Sequence, residues 1–163
     1  DRLGRPLRDL RISVTDRCNF RCRYCMPREE FGKGHDFLPK NEILTYEEIR
    51  NFVKACKPLG LRKVRITGGE PLLRQDIHHL VRQLSSMEME VALTTNGSLL
   101  ENNAANLAQS GLSRVTISLD AIDQEVHSKI TDSKVSVTDI LDGISAAIRY
   151  ELGPVKILSL IHI

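Results

Sequence analysis

Residues 18–25 read Cys18-Asn-Phe-Arg-Cys22-Arg-Tyr-Cys25, so three of the four cysteines in the chain lie in one short segment. Three residues separate the first pair of cysteines and two separate the second pair. Three thiolates can bind three irons of a four-iron cluster and leave the fourth iron without a protein ligand, whereas a structural cluster usually takes four cysteines. An open iron can bind a small molecule, so the spacing favours an open cluster.

Two other interpretations of this segment remain open from the residues alone. The three cysteines and His35 could form a Cys3His zinc site, which is a common ligand set. A disulfide with one spare thiol is also possible, although this cysteine distribution favours a reducing compartment. The fourth cysteine, Cys56, is expected to be a buried thiol on the apolar face of a helix. His78 and His79 are adjacent, and we expect that they cannot face one metal ion.

The composition is typical of a globular domain. The chain has 163 residues, of which 41% are hydrophobic and 27% are charged, and its net charge is +2. A net charge this small gives no reason to expect nucleic acid as a partner, and no apolar run reaches the length of a membrane span. Because the first residue is Asp1, we expect the chain to be part of a longer protein.

Predicted strands alternate with predicted helices along the chain. The predicted strands are 10–15, 63–67, 91–95, 114–119 and 155–161. The predicted helices are 45–56, 74–86, 99–109 and 137–150. Thr45 and Glu48 predict a capping box at the start of the first helix. Because alternating strands and helices form parallel sheets with right-handed crossovers, we expect an α/β fold, either an open sheet or a partial (β/α) barrel.

Apolar and polar residues alternate within the predicted strands. In 63–67, for example, Val64 and Ile66 alternate with polar residues such as Arg65. One face of the sheet should therefore pack on the helices, and the other must meet water, a partner or a ligand. An antiparallel sheet with one solvated face is the alternative, which the intervening helices disfavour. Arg11 and Arg65 on the polar face would attract an anionic substrate, because arginine matches phosphate and carboxylate geometry.

The carboxyl ends of parallel strands are where such folds bind ligands. The cysteine segment follows the first predicted strand, and Thr67-Gly68-Gly69-Glu70-Pro71 follows the second. Two glycines allow the backbone to approach a ligand closely, and exposed backbone groups together with Glu70 suit a zwitterionic amino-acid group. Thr95-Asn96-Gly97 follows the third strand and Ser118-Leu119-Asp120 the fourth. We expect all four loops to lie on one rim.

The cysteine spacing followed by Gly-Gly-Glu-Pro resembles the radical S-adenosylmethionine (radical SAM) enzymes. Longer blocks resemble one family among them, the GTP 3′,8-cyclases of molybdenum cofactor (molybdopterin) biosynthesis. These blocks are 1–27, 65–72, 94–97 and 117–120. The resemblance extends over residues 1–156, and it implies a partial (β/α) barrel of the radical SAM type that is truncated in or after the fifth strand.

The resemblance also implies cofactors and site residues. A [4Fe–4S] cluster would be bound by Cys18, Cys22 and Cys25. S-adenosylmethionine would chelate the open iron of that cluster and be lined by Tyr24, Gly69, Glu70 and Ser118. GTP would be contacted by Arg11, Arg65, Thr94 and Lys156. No further side chain is assigned a catalytic role.

The implied reaction converts GTP to 3′,8-cyclo-7,8-dihydro-GTP, the first step of molybdenum cofactor biosynthesis. Cleavage of S-adenosylmethionine would give a radical that takes the C3′ hydrogen of GTP, and the sugar radical would then attack C8 of guanine. The implied partners are GTP, a reducing electron donor and the downstream cyclic pyranopterin monophosphate synthase, with a possible homodimer. The implied location is the cytoplasm, or the mitochondrial matrix in a eukaryote.

The sequence departs from this family at its C-terminal end. The full-length enzymes carry a second [4Fe–4S] cluster and six barrel strands, whereas no cysteine follows Cys56 here. We therefore expect 1–163 to be the N-terminal part of the radical SAM core domain, without the closing strand and the second-cluster region. The native origin of 158–163 is open. Two alternative functions remain: another radical SAM enzyme that matures a peptide or tetrapyrrole, or a non-catalytic iron–sulfur or zinc-binding fragment.

Overall fold

The computed structural model describes residues 2–160 and contains one sheet of five parallel strands. The order of the strands in the sheet is their order in the chain. The strands are β1 (Asp9–Ser13), β2 (Lys63–Thr67), β3 (Glu90–Thr95), β4 (Arg114–Ser118) and β5 (Lys156–Leu158). This topology confirms the predicted α/β fold with an open parallel sheet.

Helices connect the strands of the sheet. They are α1 (Arg28–Phe31), α2 (Tyr46–Cys56), α3 (Ile77–Ser85), α4 (Leu100–Gln109), α5 (Gln124–Thr131) and α6 (Val137–Arg149). Short 3-10 turns occur at Lys40–Glu42, Lys57–Leu59 and Pro71–Leu73. Across residues 2–160, none of the helices is both long and apolar enough to cross a membrane.

The local signals in the sequence explain most of the helix boundaries. The capping box at α2 is confirmed, because the Glu48 amide donates to Thr45 Oγ1 at 3.2 Å and the Thr45 amide donates to Glu48 Oε2 at 2.7 Å. Helix α3 begins three residues later than predicted. The guanidinium of Arg74 donates instead to the carbonyls of Val14 and Leu44, which holds that residue outside the helix.

The largest differences from the prediction are at β5 and α5. Strand β5 is shorter than the predicted 155–161, and residue 161 lies outside the described residues. Helix α5 was not predicted at all. It is only eight residues long and buries only His127 and Thr131, so it lacks the apolar periodicity that identifies the other crossover helices.

The side chains at the centre of the sheet's polar face are less exposed to water than the alternation of apolar and polar residues in the strands predicts. Register pairs Arg11 with Arg65 and pairs Arg65 with Ala92, so these residues point to the same face. Ala92 and Thr116 on this face are buried. The guanidinium of Arg65 contacts Thr116, with 3.2 Å between Nη1 and Oγ1. The arginine therefore supplies a hydrogen bond that the buried hydroxyl would otherwise obtain from water.

Helices α4 and α6 pack closely at two glycines. A Cβ on Gly143 of α6 would lie 2.8 Å from the carbonyl oxygen of Gly97 and 3.1 Å from Cβ of Leu100. Gly97 itself has φ +83°, a conformation that favours glycine. Its carbonyl accepts a hydrogen bond from the Leu100 amide at 3.0 Å at the start of α4. This contact fixes the loop after β3 against the helical layer.

We expect Gly143→Ala to destabilise the fold, because the added methyl group meets backbone that cannot move aside. Overpacking a core costs about 1–3 kcal/mol, which outweighs the helix propensity of alanine, so the net loss should be about 1 kcal/mol or more. Chemical denaturation measures this loss. Ser145→Ala, at an exposed position of α6, is the control and should change stability by less than about 0.5 kcal/mol. Equal stabilities for the two variants would contradict the packing described here.

Candidate cofactor and substrate site

The loops that follow β1 to β4 meet at the carboxyl edge of the sheet and enclose a cavity of about 330 Å³. Eight of the residues predicted for the site line this cavity: Arg11, Cys18, Cys22, Tyr24, Cys25, Gly69, Thr94 and Ser118. The three predicted residues Arg65, Glu70 and Lys156 lie outside its lining. The cysteine segment and the polar face of the sheet therefore line one cavity. This agrees with the expectation that the four loops lie on one rim.

All three cysteines of the segment are free thiols, which rules out the disulfide interpretation for this structure. The amides of Cys25 and Met26 both donate to the Cys22 carbonyl, at 3.0 and 2.9 Å, and form a tight turn. Arg21 stabilises the segment from beneath, since its guanidinium donates to the carbonyls of Cys18 and Phe20 at 2.7 and 2.8 Å.

The three sulfur atoms are not all close enough to one another to bind a single zinc ion. Zinc–sulfur bonds of about 2.3 Å in a tetrahedron place the ligand sulfurs about 3.8 Å apart. Among the described residues, the cysteine sulfurs do not form a group whose ligand atoms all lie within 4.8 Å of one another. His35 is not positioned as a fourth ligand, because its ring packs between Phe31 and Phe37 with both centroid distances at 4.6 Å.

The cysteine thiols also need a nearby positive charge, such as a metal ion, before they lose their protons. Burial, together with the neighbouring Cys18 and Cys25, raises the pKa of Cys22 to about 12. Burial likewise raises the pKa of Cys18. Metal ligands of this type bind as thiolates, so iron would replace these protons and its binding would release them. The donor set therefore fits a polynuclear iron group.

Helix α5 holds the cysteine segment in place from a distant part of the sequence. The Arg21 amide donates to the Thr131 carbonyl at 2.8 Å, and the Arg23 amide donates to the Ile130 carbonyl at 3.2 Å. The same helix contributes His127 to the cavity wall, where its ring meets Phe20 edge to face at 5.8 Å. Burial lowers the pKa of His127 and so favours the neutral imidazole. His127 could not be predicted as a cavity residue, because α5 itself was not predicted.

Gly68 and Gly69 are required by close packing against the cysteine segment. A Cβ on Gly69 would lie 2.3 Å from the Arg17 carbonyl oxygen, and one on Gly68 would lie 2.6 Å from the Thr15 carbonyl oxygen. The Gly69 amide donates to that Thr15 carbonyl at 2.8 Å. The two glycines thus join the first and second loops while their backbone lines the cavity.

Tyr24 is anchored by Asp120 at the end of β4. The Tyr24 hydroxyl donates to Asp120 Oδ2 at 2.7 Å, and the Leu160 amide donates to Asp120 Oδ1 at 2.8 Å. Burial and the Asp120 carboxylate raise the pKa of Tyr24, so its phenol keeps its proton. Asp120 was predicted only as part of a rim loop, and the structure adds it to the cavity lining.

Two of the residues outside the cavity lining still belong to the polar face. Arg65 Nη1 donates to Thr94 Oγ1 at 3.3 Å, so it lies behind a residue that lines the cavity. Lys156 pairs in register with Thr116, and Thr116 pairs with Thr94. Paired residues of neighbouring strands point to the same face, so Lys156 shares the face of Thr94 and Arg65. Its side chain is exposed.

The carboxylate of Glu70 is held by donors from its own loop and from the end of β3. Its side chain is fully buried. Oε1 accepts hydrogen bonds from the Leu72 amide at 2.9 Å and from Thr95 Oγ1 at 2.8 Å, and Oε2 accepts one from the Asn96 amide at 2.7 Å. Burial raises the pKa of Glu70, and the three donors oppose that effect. The carboxylate thereby joins the second and third loops.

The comparisons with known proteins agree with this geometry. The Radical SAM superfamily model matches residues 12–163. The chain belongs to the radical SAM superfamily. Membership implies a [4Fe–4S] cluster and S-adenosylmethionine as cofactors, and the three free thiols at the cavity fit the cluster. The interpretation of the segment as an isolated zinc site is therefore not supported.

Curated relatives are similar to this radical SAM chain over nearly all of its length. GTP 3′,8-cyclase from Staphylococcus epidermidis is 53% identical over 150 residues, which cover 91% of this chain and 44% of the relative. GTP 3′,8-cyclase from Acidothermus cellulolyticus is 52% identical over 164 residues, which cover 99% of this chain and 45% of the relative. The chain thus spans less than half the length of these relatives.

Solved radical SAM structures share the fold. Streptococcus suis SuiB bound to S-adenosylmethionine superimposes with a TM-score of 0.75 at 20% identity, covering 94% of this chain and 34% of that chain. Coproporphyrinogen III oxidase (HemN) from Escherichia coli, described as a radical SAM enzyme, gives a TM-score of 0.58 at 15% identity, covering 95% of this chain and 37% of that chain. The likeness confirms the partial barrel.

One further group of possible metal ligands lies away from the radical SAM cavity. Ligand atoms of Asp76, His78 and His79 all lie within 4.8 Å of one another, so the expectation that the two histidines cannot face one ion is wrong. The imidazoles lie side by side, with ring centroids 4.3 Å apart. Both histidines belong to the first turn of α3, where the helix dipole disfavours a cation. We assign this group no role.

We expect Glu70→Gln to destabilise the fold by about 1–3 kcal/mol, because an amide NH2 group would replace one acceptor and face a backbone N–H in a buried place. Chemical denaturation of the cofactor-free chain measures this directly. Glu47→Gln, at an exposed position in the first turn of α2, is the matched control and should have little effect. An equally small effect at Glu70 would show that its carboxylate does not hold the loops together.

Proposed function

We propose that this chain contains the cluster site, the S-adenosylmethionine site and part of the GTP site of a GTP 3′,8-cyclase. The observation that supports this most directly is the shared cavity. Three free thiols line one side of it, and the polar face of the sheet, with Arg11 and Thr94, lines another. The identity of 53% and 52% to curated relatives of that name supports the choice of GTP among radical SAM substrates.

Each group of residues has a distinct task in this proposal. Cys18, Cys22 and Cys25 bind the [4Fe–4S] cluster, which with S-adenosylmethionine supplies the radical chemistry. Backbone at Gly69 and the side chains of Tyr24 and Ser118 position S-adenosylmethionine. We propose that Glu70 also belongs to the S-adenosylmethionine site and that its buried carboxylate positions the adjacent loops.

Arg11, Arg65, Thr94 and Lys156 are proposed to bind GTP. Guanidinium groups bind phosphate oxygens in a bidentate manner and cannot lose their charge at physiological pH. Arg65 is fixed by hydrogen bonds from Nη1 to Thr94 and Thr116, at 3.3 and 3.2 Å. A fixed guanidinium loses little side-chain freedom when it binds an anion, which favours affinity.

Several expectations of the sequence analysis remain predictions. These are the reducing electron donor, the downstream cyclic pyranopterin monophosphate synthase, a homodimer and a cytoplasmic or mitochondrial matrix location. The extent of the core domain, 1–163 as the N-terminal part of a longer enzyme, is also a prediction. Maturation of a peptide or tetrapyrrole is the alternative that substrate tests separate from the cyclase.

Anaerobic reconstitution with iron and sulfide should load the chain with about four irons. We expect Cys22→Ala to lose most of this iron and to abolish formation of 5′-deoxyadenosine from S-adenosylmethionine under reduction. Cys56→Ala is the control, since Cys56 is buried in α2 and away from the cavity. It should keep its iron. Iron analysis, visible absorption and chromatography of 5′-deoxyadenosine give the readouts, and a chain that binds zinc but no cluster would refute the proposal.

Removal of the Arg65 guanidinium should weaken GTP binding to the loaded chain. A hydrogen bond to a charged group contributes about 1.5–3 kcal/mol, so Arg65→Gln should raise the Kd for GTP by about 10- to 100-fold. Arg62→Gln, at an exposed position beside β2, should leave the Kd unchanged. Equilibrium binding of a fluorescent GTP analogue measures both. If neither variant differs from the parent, the polar face is not the GTP site.

A further inference from the structure

A side-chain amide contacts the sulfur of the first cysteine in the segment. Nδ2 of Asn96, in the loop after β3, lies 3.9 Å from Sγ of Cys18. The Phe20 amide also donates to that sulfur, at 3.4 Å. Asn96 lines the same cavity as the cysteines and was not among the residues predicted for the site. The third loop of the sheet therefore reaches a cluster ligand directly.

The hydrogen-bond network determines which end of the Asn96 amide faces the sulfur. Its Oδ1 accepts from the Ser98 amide at 3.0 Å and from Ser98 Oγ at 2.7 Å. Since the backbone N–H of Ser98 can only donate, the atom that faces it must be the oxygen, and the NH2 group points the other way. The NH2 group donates to Asn19 Oδ1 at 2.8 Å and is directed at Cys18.

The surroundings hold this amide rigidly. Asn19 Nδ2 donates to Ser98 Oγ at 2.9 Å, so Asn19, Asn96 and Ser98 form a closed ring of hydrogen bonds. The backbone amide of Asn96 is bound by the buried carboxylate of Glu70 at 2.7 Å. The NH2 group of Asn96 is therefore already oriented toward Cys18, and it does not have to move when the negative charge on the sulfur increases.

Asn96 differs from Tyr24, another polar side chain near a cysteine. The Tyr24 hydroxyl neighbours Cys22, but its proton is donated to Asp120 at 2.7 Å. Asn96 still has an N–H directed at Cys18 after it has bonded Asn19, because an NH2 group carries two protons. Donors to cluster sulfurs stabilise the electron-rich reduced state and raise the reduction potential.

We propose that Asn96 is a positioning residue that raises the reduction potential of the cluster through an N–H···S hydrogen bond to Cys18. The inference rests on the proposed function, since it requires the [4Fe–4S] cluster. It goes beyond that function because it assigns Asn96 an effect on the reduction potential of the cluster. The buried carboxylate of Glu70 supports this role indirectly, because it fixes the loop from which the amide projects.

A redox titration of the reconstituted chain followed by electron paramagnetic resonance tests the proposal. Asn96→Ala removes the donor without adding charge, and Asn96→Asp keeps the shape but replaces the NH2 group by an acceptor. We expect both variants to shift the midpoint potential to more negative values, with the larger shift for aspartate. Asn102→Ala, at an exposed position of α4, is the matched control, because it makes the same substitution away from the cavity and from the hydrogen-bond ring. Its potential should stay at the parent value.

Potentials of both Asn96 variants that equal the parent potential, at equal iron content, would overturn the inference and leave the proposed function intact. A parent chain that assembles no cluster would refute both. If the variants fail to hold iron, the parent protein itself still decides the question. Electron spin echo modulation of the reduced cluster should show a nitrogen coupling that changes when asparagine alone is labelled with ¹⁵N. The lack of such a coupling would contradict the hydrogen bond.

Discussion

The buried carboxylate of Glu70 is the interaction on which the site depends most. A carboxylate removed from water is costly unless its oxygens find donors, and here the donors come from two different loops. The Leu72 amide belongs to the loop after β2, whereas Thr95 is the last residue of β3 and Asn96 begins the loop after it. Burial of the carboxylate therefore constrains the positions of both loops, because the fold is stable only when both of them supply donors to Glu70.

That constraint extends to the cysteine segment through small residues and side-chain amides. Gly68 and Gly69 pack against the backbone of the segment so closely that no side chain would fit. On the opposite side, Asn96 reaches Cys18 and Asn19. The thiols are thus positioned by backbone contacts, by the Asn96 amide and by the Arg21 guanidinium.

Much of the fold could be predicted from the sequence, since it depends on local periodicity. Alternation of apolar and polar residues identified β2 and its neighbours, and the pair Thr45 and Glu48 identified the start of α2. The cysteine spacing indicated the cluster, because three ligands within eight residues are visible without any knowledge of the fold. The orientation of Glu70 could not be predicted, since a glutamate in a rim loop can point to the ligand or to the neighbouring loop.

The parts that escaped prediction depend on contacts between distant residues. Helix α5 has weak periodicity, and its importance comes from bonds to the cysteine segment rather than from its own pattern. The contact between Asn96 and Cys18 joins residues 78 positions apart. Burial at the centre of the polar face also depends on a contact between distant residues, because Arg65 and Thr116 are 51 positions apart.

The bonds between the cysteine segment and α5 also impose an order of events during synthesis. Arg28 of the segment's flank pairs with Asp132, which follows it by 104 residues. At about 5–20 residues per second, a ribosome needs roughly 5–20 s to add that length of chain. During this interval the thiols have left the ribosome but lack the helix that holds them. The thiols can consequently bind metal in their final geometry only after α5 has been synthesised and has folded. Until then the nascent thiols depend on a reducing environment.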